Sequence, residues 1–252
     1  MITISNLHKS FDKKNILNGL NLNIEKGSSS VIIGRSGTGK SVLIKCILGL
    51  ITPDEGSIEV GNSIIFNKGK FKSLNNIKVG MLFQGGALFD SLKIWQNVSF
   101  YHIQKGKNKK FCLNNAIHHL EKVGLDKSIL NLYPSELSGG MQKRVALARA
   151  IALEPDIIFF DEPTTGLDPI SADVINKLIL AIVRDIGATS ITITHDMASA
   201  RTISDKIHML HEGKIIWEGD KYSIENTENQ NIIQFIHGNS DKIGRASCRE
   251  RV

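Results

Sequence analysis

The sequence predicts an α/β protein, and three stretches carry that prediction. "SSSVIIG", residues 28–34, reads as a strand running into a glycine turn. "KSVLIKCILGLI" follows at residues 40–51 and is apolar at helical spacing. "DIIFF", residues 156–160, is a continuous apolar run, as a parallel strand covered on both faces requires.

The remaining elements follow in chain order. "ITISNL" and "LNLNI" alternate apolar and polar residues, so residues 2–33 read as three strands with turns. "TPDEG" makes a turn after the first helix. Residues 58–83 read as short strands around the polar loop "NKGKFKSLNN". Residues 95–124 read as helical, broken by the basic run "KGKNKK" at 105–110. That run fits a solvated loop or a lipid-headgroup contact. Residues 139–153 carry a strong helical pattern, and "SITITHD" and "KIHMLHEGKIIWEG" are further strands. No internal repeat is present.

Composition narrows the function classes. The 252 residues are 41% hydrophobic and 22% charged, enough for one sizeable core with a smaller subdomain. No apolar run approaches the roughly 18–20 residues of a membrane helix, and no secretory signal pattern is visible at the N-terminus. Cys46, Cys112 and Cys248 are far apart and lack metal spacing, as expected of unpaired thiols in a reducing compartment. The last ten residues, "IGRASCRERV", use Arg where the preceding chain uses Ile, Asn and Lys. They resemble a translated sequencing adapter, so residues 243–252 are expected to be non-native. The plainer reading is a short basic tail. The tail holds three Arg and one Glu, so its removal lowers the net charge from +6 to +4. Such a charge suits work beside an anionic membrane and is no nucleic-acid signature.

Three motifs carry chemistry. "GRSGTGKS" supplies Gly34, Arg35, Ser36, Gly37, Thr38, Gly39, Lys40 and Ser41 in the pattern G-x-x-x-x-G-K-[ST]. It lies between a predicted strand and a predicted helix, where backbone N–H groups can wrap phosphate oxygens. Lys40 can reach β- and γ-phosphates, and Ser41 can ligate Mg²⁺. "IIFFDEP" delivers Asp161 to a strand end as a second Mg²⁺ group, and Glu162 follows as a general base for water. "LSGGMQ" sets Ser138 at a helix N-cap before Gly139, Gly140, Met141 and Gln142. Alone it is a plain capped helix. Beside the phosphate loop it is a second anion site, and a twofold dimer would let it meet the partner's nucleotide.

In series these motifs resemble the nucleotide-binding subunit of ATP-binding cassette (ABC) transporters over about residues 2–220. The resemblance implies a P-loop NTPase (RecA-like) core with an antiparallel β subdomain and a helical subdomain inserted at about 86–152. It implies ATP and Mg²⁺, with ATP hydrolysed. It also implies that Phe11 stacks on adenine and that Gln84 contacts Mg²⁺ and water. Asp168 would belong to the D-loop of the dimer interface, and His195 would be the switch residue at the γ-phosphate. No required position of the pattern is missing, which argues against an inactive ATPase.

"GMLFQGGALFDSLKIW", residues 80–95, joins Gln84 to an apolar turn. In the family this turn receives a helix of the membrane subunit. Leu88, Phe89, Asp90, Leu92 and Trp95, with Ile94, are the expected docking residues; internal packing is the other reading. The wording of this stretch, of 133–169 and of "THDMASA" resembles the ATPase of Mla-type systems, which move phospholipids between membranes of diderm bacteria. Many cassettes carry "LFP" where Asp90 here gives "LFD". The resemblance implies a peripheral place on the cytoplasmic face of the inner membrane. Implied partners are a second copy, a multi-span permease, an MCE-domain lipid-binding protein and a STAS-domain protein, with no nucleic acid. Residues 221–242 would be a C-terminal extension, expected to be truncated. Rival readings are another cargo, envelope division or remodelling, and a nucleic-acid- or ribosome-associated cassette. The last usually carries tandem cassettes or a coiled coil, and neither is present.

Overall fold

The computed structural model describes residues 1–237 apart from Lys13, Asn62, Lys68 and residues 73–76. The basic tail 243–252 and the end of the extension, 238–242, lie outside the described residues.

The chain opens with β1 (Ile2–Phe11) and β2 (Lys14–Ile24), then β3 (Ser29–Ile33) and α1 (Lys40–Ile47). Next come β4 (Glu55–Val60), β5 (Ser63–Asn67), β6 (Lys70–Phe71) and β7 (Val79–Leu82). Four helices follow: α2 (Ile94–Val98), α3 (Phe100–Gln104), α4 (Lys109–Lys122) and α5 (Gly139–Ile151). The chain then runs through β8 (Ile157–Asp161), α6 (Pro169–Ile186), β9 (Thr189–Thr194) and α7 (Met197–Ile203). It ends with β10 (Lys206–His211), β11 (Lys214–Gly219) and α8 (Gln230–His237).

Two sheets result. The first is antiparallel, in the order β2-β1-β4-β5-β6. The second runs β11-β10-β3-β9-β8-β7, parallel except for the β10–β11 hairpin. The expected α/β class with a separate antiparallel unit is therefore present.

Alternating side chains of β3 and β8 feed two cores. Val31, Ile33, Ile158 and Phe160 pack with α5, α6 and α7. Ile32, Ile157 and Phe159 pack with α1 and the antiparallel sheet. This explains the unbroken apolar runs: neither face of these strands meets water.

Local chemistry sets the helix ends. Ser138, Asp168 and Asp196 each accept backbone N–H groups as N-caps of α5, α6 and α7. Helix α1 stops at Ile47, short of the predicted Ile51, because Gly49 turns left-handed at φ 71°. The break expected over 105–110 narrows to 105–108 between α3 and α4: Asn108 caps α4, and Lys109 and Lys110 already belong to it. Helix α6 is absent from the sequence reading although Ile175, Ile179, Ile182 and Val183 supply its buried stripe. Gly80 in β7 faces α5 so closely that an added Cβ would lie 2.4 Å from the Ala150 carbonyl oxygen.

His208 in β10 is fully buried, and neither ring nitrogen has a hydrogen-bond partner among the described residues. The Glu218 carboxylate lies 3.5 Å from Nδ1, too far to offset desolvation. Burial pushes the imidazole down to about 4, with Glu218 opposing and Lys206 adding to the effect. The unfolded chain, with a pKa of about 6.5, therefore takes the proton first. Stability from this site is complete above about pH 6.5, falls as the pH drops toward 4, and is flat below. The loss should be on the order of 3 kcal/mol. Urea unfolding across that window should show a shallower pH slope in His208→Leu; equal slopes would discard the assignment.

Candidate active site

Three neighbouring strands bring charged groups to one sheet edge. Ile33 of β3 lies opposite Thr194 of β9, and Asp161 of β8 lies opposite Ile193. The segment 34–41, Asp161, Glu162 and His195 therefore emerge together at the carboxyl ends of parallel strands, where α/β sheets bind ligands. They border a cleft of about 490 Å³. Phe11, Ile16 and Val42 form an apolar wall, and Ser36, Gly37 and Gly39 form the loop side. Lys40, Ser41, Gln84, Asp161, Glu162 and His195 supply the polar lining.

The loop is organised by Lys40. Its buried ammonium donates to the Gly34 carbonyl at 2.7 Å and the Arg35 carbonyl at 2.9 Å. The Thr38 hydroxyl donates to the same Arg35 carbonyl at 2.9 Å. Gly39 is required at φ 102°, because an added Cβ would lie 3.0 Å from the Ile16 carbonyl oxygen. Burial pushes the Lys40 pKa down, while Glu162 and Asp161 pull it back up. A cation held in a desolvated cleft attracts a phosphate strongly.

The carboxylates face it. Burial raises the Asp161 pKa, and neighbouring Glu162 raises it further. The Ser41 hydroxyl lies 3.5 Å from Asp161 Oδ1. A hydroxyl and a carboxylate so placed are hard oxygen donors, and the repelled negative charge there fits a divalent cation such as Mg²⁺. Glu162 has left-handed backbone at φ 49°, a costly geometry for a non-glycine residue at a strand end. Its Oε2 accepts from the Thr165 hydroxyl at 3.0 Å and lies 2.8 Å from His195 Nδ1. Glu162 is thus aimed from two sides, and its histidine partner is exposed.

Gln84 is fixed from behind. The Lys143 ammonium of α5 donates to the Gln84 carbonyl. The Arg149 guanidinium of the same helix donates to the Ala87 carbonyl at 2.7 Å and the Gly86 carbonyl at 2.9 Å. Burial lowers the pKa of both cations, and neither has a carboxylate partner among the described residues. Backbone carbonyls take the charge, which ties the segment 84–87 to α5.

The remaining predicted residues lie apart from the cleft. Ser138 caps α5 by accepting from Met141 N–H at 3.3 Å. Space around Gly139 and Gly140 is open. Gln142 braces the preceding turn through Pro134 and Leu137 carbonyls at 2.9 and 3.2 Å. None of residues 138–142 lines the cleft of its own chain. Asp168 caps α6 through Ile170 and Ser171 N–H groups, and the Ser171 contacts hold its carboxyl low.

A second, apolar groove of about 390 Å³ lies beyond the glutamine segment, lined by Phe83, Ala87, Phe89, Phe100, Tyr101 and Arg149 among others. Of the expected docking residues, Phe89 lines it, stacked on Phe100 at 4.5 Å between ring centroids. Leu88 and Trp95 pack partly buried against the core. Leu92 is half-buried, Ile94 is fully buried and Asp90 is exposed. Sequence reasoning missed Ile16, Thr165, Lys143 and Arg149. The two cations stand on a helix whose buried face is otherwise Ala, Val, Leu and Ile, the one signal that could have flagged them.

A family profile described as "ABC transporter" matches residues 17–165. The chain belongs to the ABC transporter family. It is an ATPase subunit of that family, and cassettes of this family bind ATP. The chain is 38% identical over 248 residues to the intermembrane phospholipid transport ATP-binding protein MlaF of Haemophilus influenzae. That match covers 96% of this chain and 92% of MlaF. It is also 37% identical to the L-cystine import ATP-binding protein TcyN of Bacillus subtilis, over 94% of this chain and 92% of TcyN. A solved dimeric ATP-binding cassette in a post-hydrolysis state, bound to ADP and Pi, is similar at a TM-score of 0.77 and 30% identity. That likeness covers 88% of this ABC ATPase and 99% of the solved chain.

Proposed function

We propose that this ABC ATPase powers phospholipid movement between membranes through a multi-span permease. The observation that carries the reading is near-full-length similarity to a phospholipid-transport ATPase. The "QGGALFD" segment, which bears the Mla-type wording, supports it. Import of a small polar solute is the second reading, because the cystine-import ATPase is almost equally similar.

Residues 2–220 form the catalytic domain in this proposal, with 86–152 as its helical subdomain and 221–242 as an extension. Two copies sandwich ATP, with Phe11 against adenine and Lys40 at the β- and γ-phosphates. Ser138 to Gln142 of the opposite copy close over the γ-phosphate, and Asp168 sits at the copy–copy contact. The N-terminus of α5 has open space at Gly139 and Gly140 and lies outside the cleft of its own chain, which supports that arrangement. Ser41, Asp161 and Gln84 would hold Mg²⁺, which when bound neutralises charge on the phosphate oxygens. Glu162 polarises water, oriented by Thr165 and His195. Loss of the bridging γ-phosphate opens the pair, and the glutamine segment transmits that movement to the permease groove. The chain sits peripherally on the cytoplasmic face of the inner membrane. An MCE-domain protein and a STAS-domain protein complete the assembly; nucleic acid has no part in it.

Glu162→Gln should bind ATP with near-normal affinity yet lose at least about a hundredfold in turnover. Wild-type turnover in single-cycle assays would remove Glu162 from the role of base. Ser138→Arg should abolish ATPase activity in the assembled transporter while leaving nucleotide binding by the single chain intact; unchanged activity refutes the sandwich. Native isolation from membranes tests cargo. Co-purification of a permease, an MCE-domain protein and bound phospholipid is expected. An amino-acid-binding partner, ribosomes or DNA in their place would overturn the reading.

A further inference from the structure

Residues 91–120 contain five lysines, Lys93, Lys105, Lys107, Lys109 and Lys110, and no Asp or Glu. One eighth of the chain thus holds five of its six net positive charges. The four lysines from 105 to 110 are all exposed, at the junction of α3 and α4.

Their surroundings are aromatic. Tyr101, His102 and Phe111 form a ladder of edge-on rings, with centroids 5.6 and 5.1 Å apart. Tyr101 and Phe111 are 46% and 43% exposed, a large apolar display for a charged loop. Lys105 lies 5.6 Å over Tyr101, Lys107 5.6 Å over Phe111 and Lys109 6.0 Å over Trp95. Each ammonium sits over a ring face, and Lys105, Lys107 and Lys109 nonetheless remain exposed. Exposed rings among lysine heads are what a membrane interface selects: amphipathic rings at headgroup depth, cations at phosphate depth.

Tyr101 also lines the apolar groove, so patch and groove form one continuous face. That orientation rests on the proposed docking of a permease in the groove; the charge and ring geometry do not.

We propose that this lysine–aromatic face rests directly on the anionic headgroups of a phospholipid bilayer. It would orient the ATPase against the membrane independently of the permease.

Vesicle flotation with the purified chain tests this, and no permease is present to confound it. Vesicles of phosphatidylcholine mixed with phosphatidylglycerol should bind at least about tenfold more chain than phosphatidylcholine alone. The difference should shrink with added salt. Changing Lys105, Lys107, Lys109 and Lys110 together to Gln should reduce binding to the phosphatidylcholine level, with ATP binding and thermal midpoint unchanged. Changing Lys26, Lys127, Lys214 and Lys221 to Gln removes the same charge elsewhere and should leave binding near wild type. Equal losses in both variants would assign the effect to overall charge and overturn the proposal. So would full binding by the first variant, or tighter binding to duplex DNA than to mixed vesicles at equal phosphate.

Discussion

Burial of β3 and β8 on both faces constrains everything else in this molecule. A strand between two cores can carry no charge along its length, since an unpaired buried charge costs many kcal/mol. Charged residues of these strands must wait until the sheet ends. Asp161 is the last residue of β8, and the loop holding Lys40 begins directly after β3. The cleft is where the apolar layers stop, with some of their low-dielectric character retained. That is why Lys40 is depressed and Asp161 raised, each by burial first. A site so poised has opposing charges held apart in partly dry surroundings, and a phosphate with its cation satisfies both.

The second organising element is α5. Its N-terminus is the capped Ser138 turn, its middle holds Gln84 through Lys143, and its last turn grips residues 86 and 87 through Arg149. Gly80 lets the same turn sit against β7. One helix therefore ties the proposed trans anion site, the glutamine beside the cleft, and the floor of the apolar groove. Fixing a loop through carbonyl acceptors leaves side chains free, so Gln84 can face the cleft while Phe89 faces the groove. Replacing these bonds by side-chain pairing would use up the groups that do the chemistry.

Much of this was legible in the sequence. Strand β8 announced itself by an unbroken apolar run, β1 and β2 by alternation, and the phosphate loop by glycine spacing between a strand and a helix. Helix α6 is the exception, although its buried stripe at 175, 179, 182 and 183 is a plain amphipathic period. The docking stretch shows the harder limit. Leu88, Ile94 and Phe89 are chemically alike, yet they end as partly buried, core and exposed. Hydrophobicity alone cannot rank them, because the outcome depends on which neighbours arrive from α3 and α5. Lys143 and Arg149 were missed for a related reason: a buried cation satisfied by backbone carbonyls leaves no partner residue in the sequence to find.

Charge distribution makes the last connection. If the lysines of 91–120 served only solubility, acidic residues would be expected among them, since mixed signs keep a surface soluble at less cost in self-repulsion. Their complete exclusion over thirty residues concentrates repulsion on one short helical segment. The rings of Tyr101, Phe111 and Trp95 offset some of it by taking an ammonium each. A chain otherwise close to neutral retains this cost beside the groove proposed for a membrane subunit. An anionic surface on that side turns the repulsion into attraction, and it explains why the segment is both the most basic and among the most aromatic of the exposed regions described.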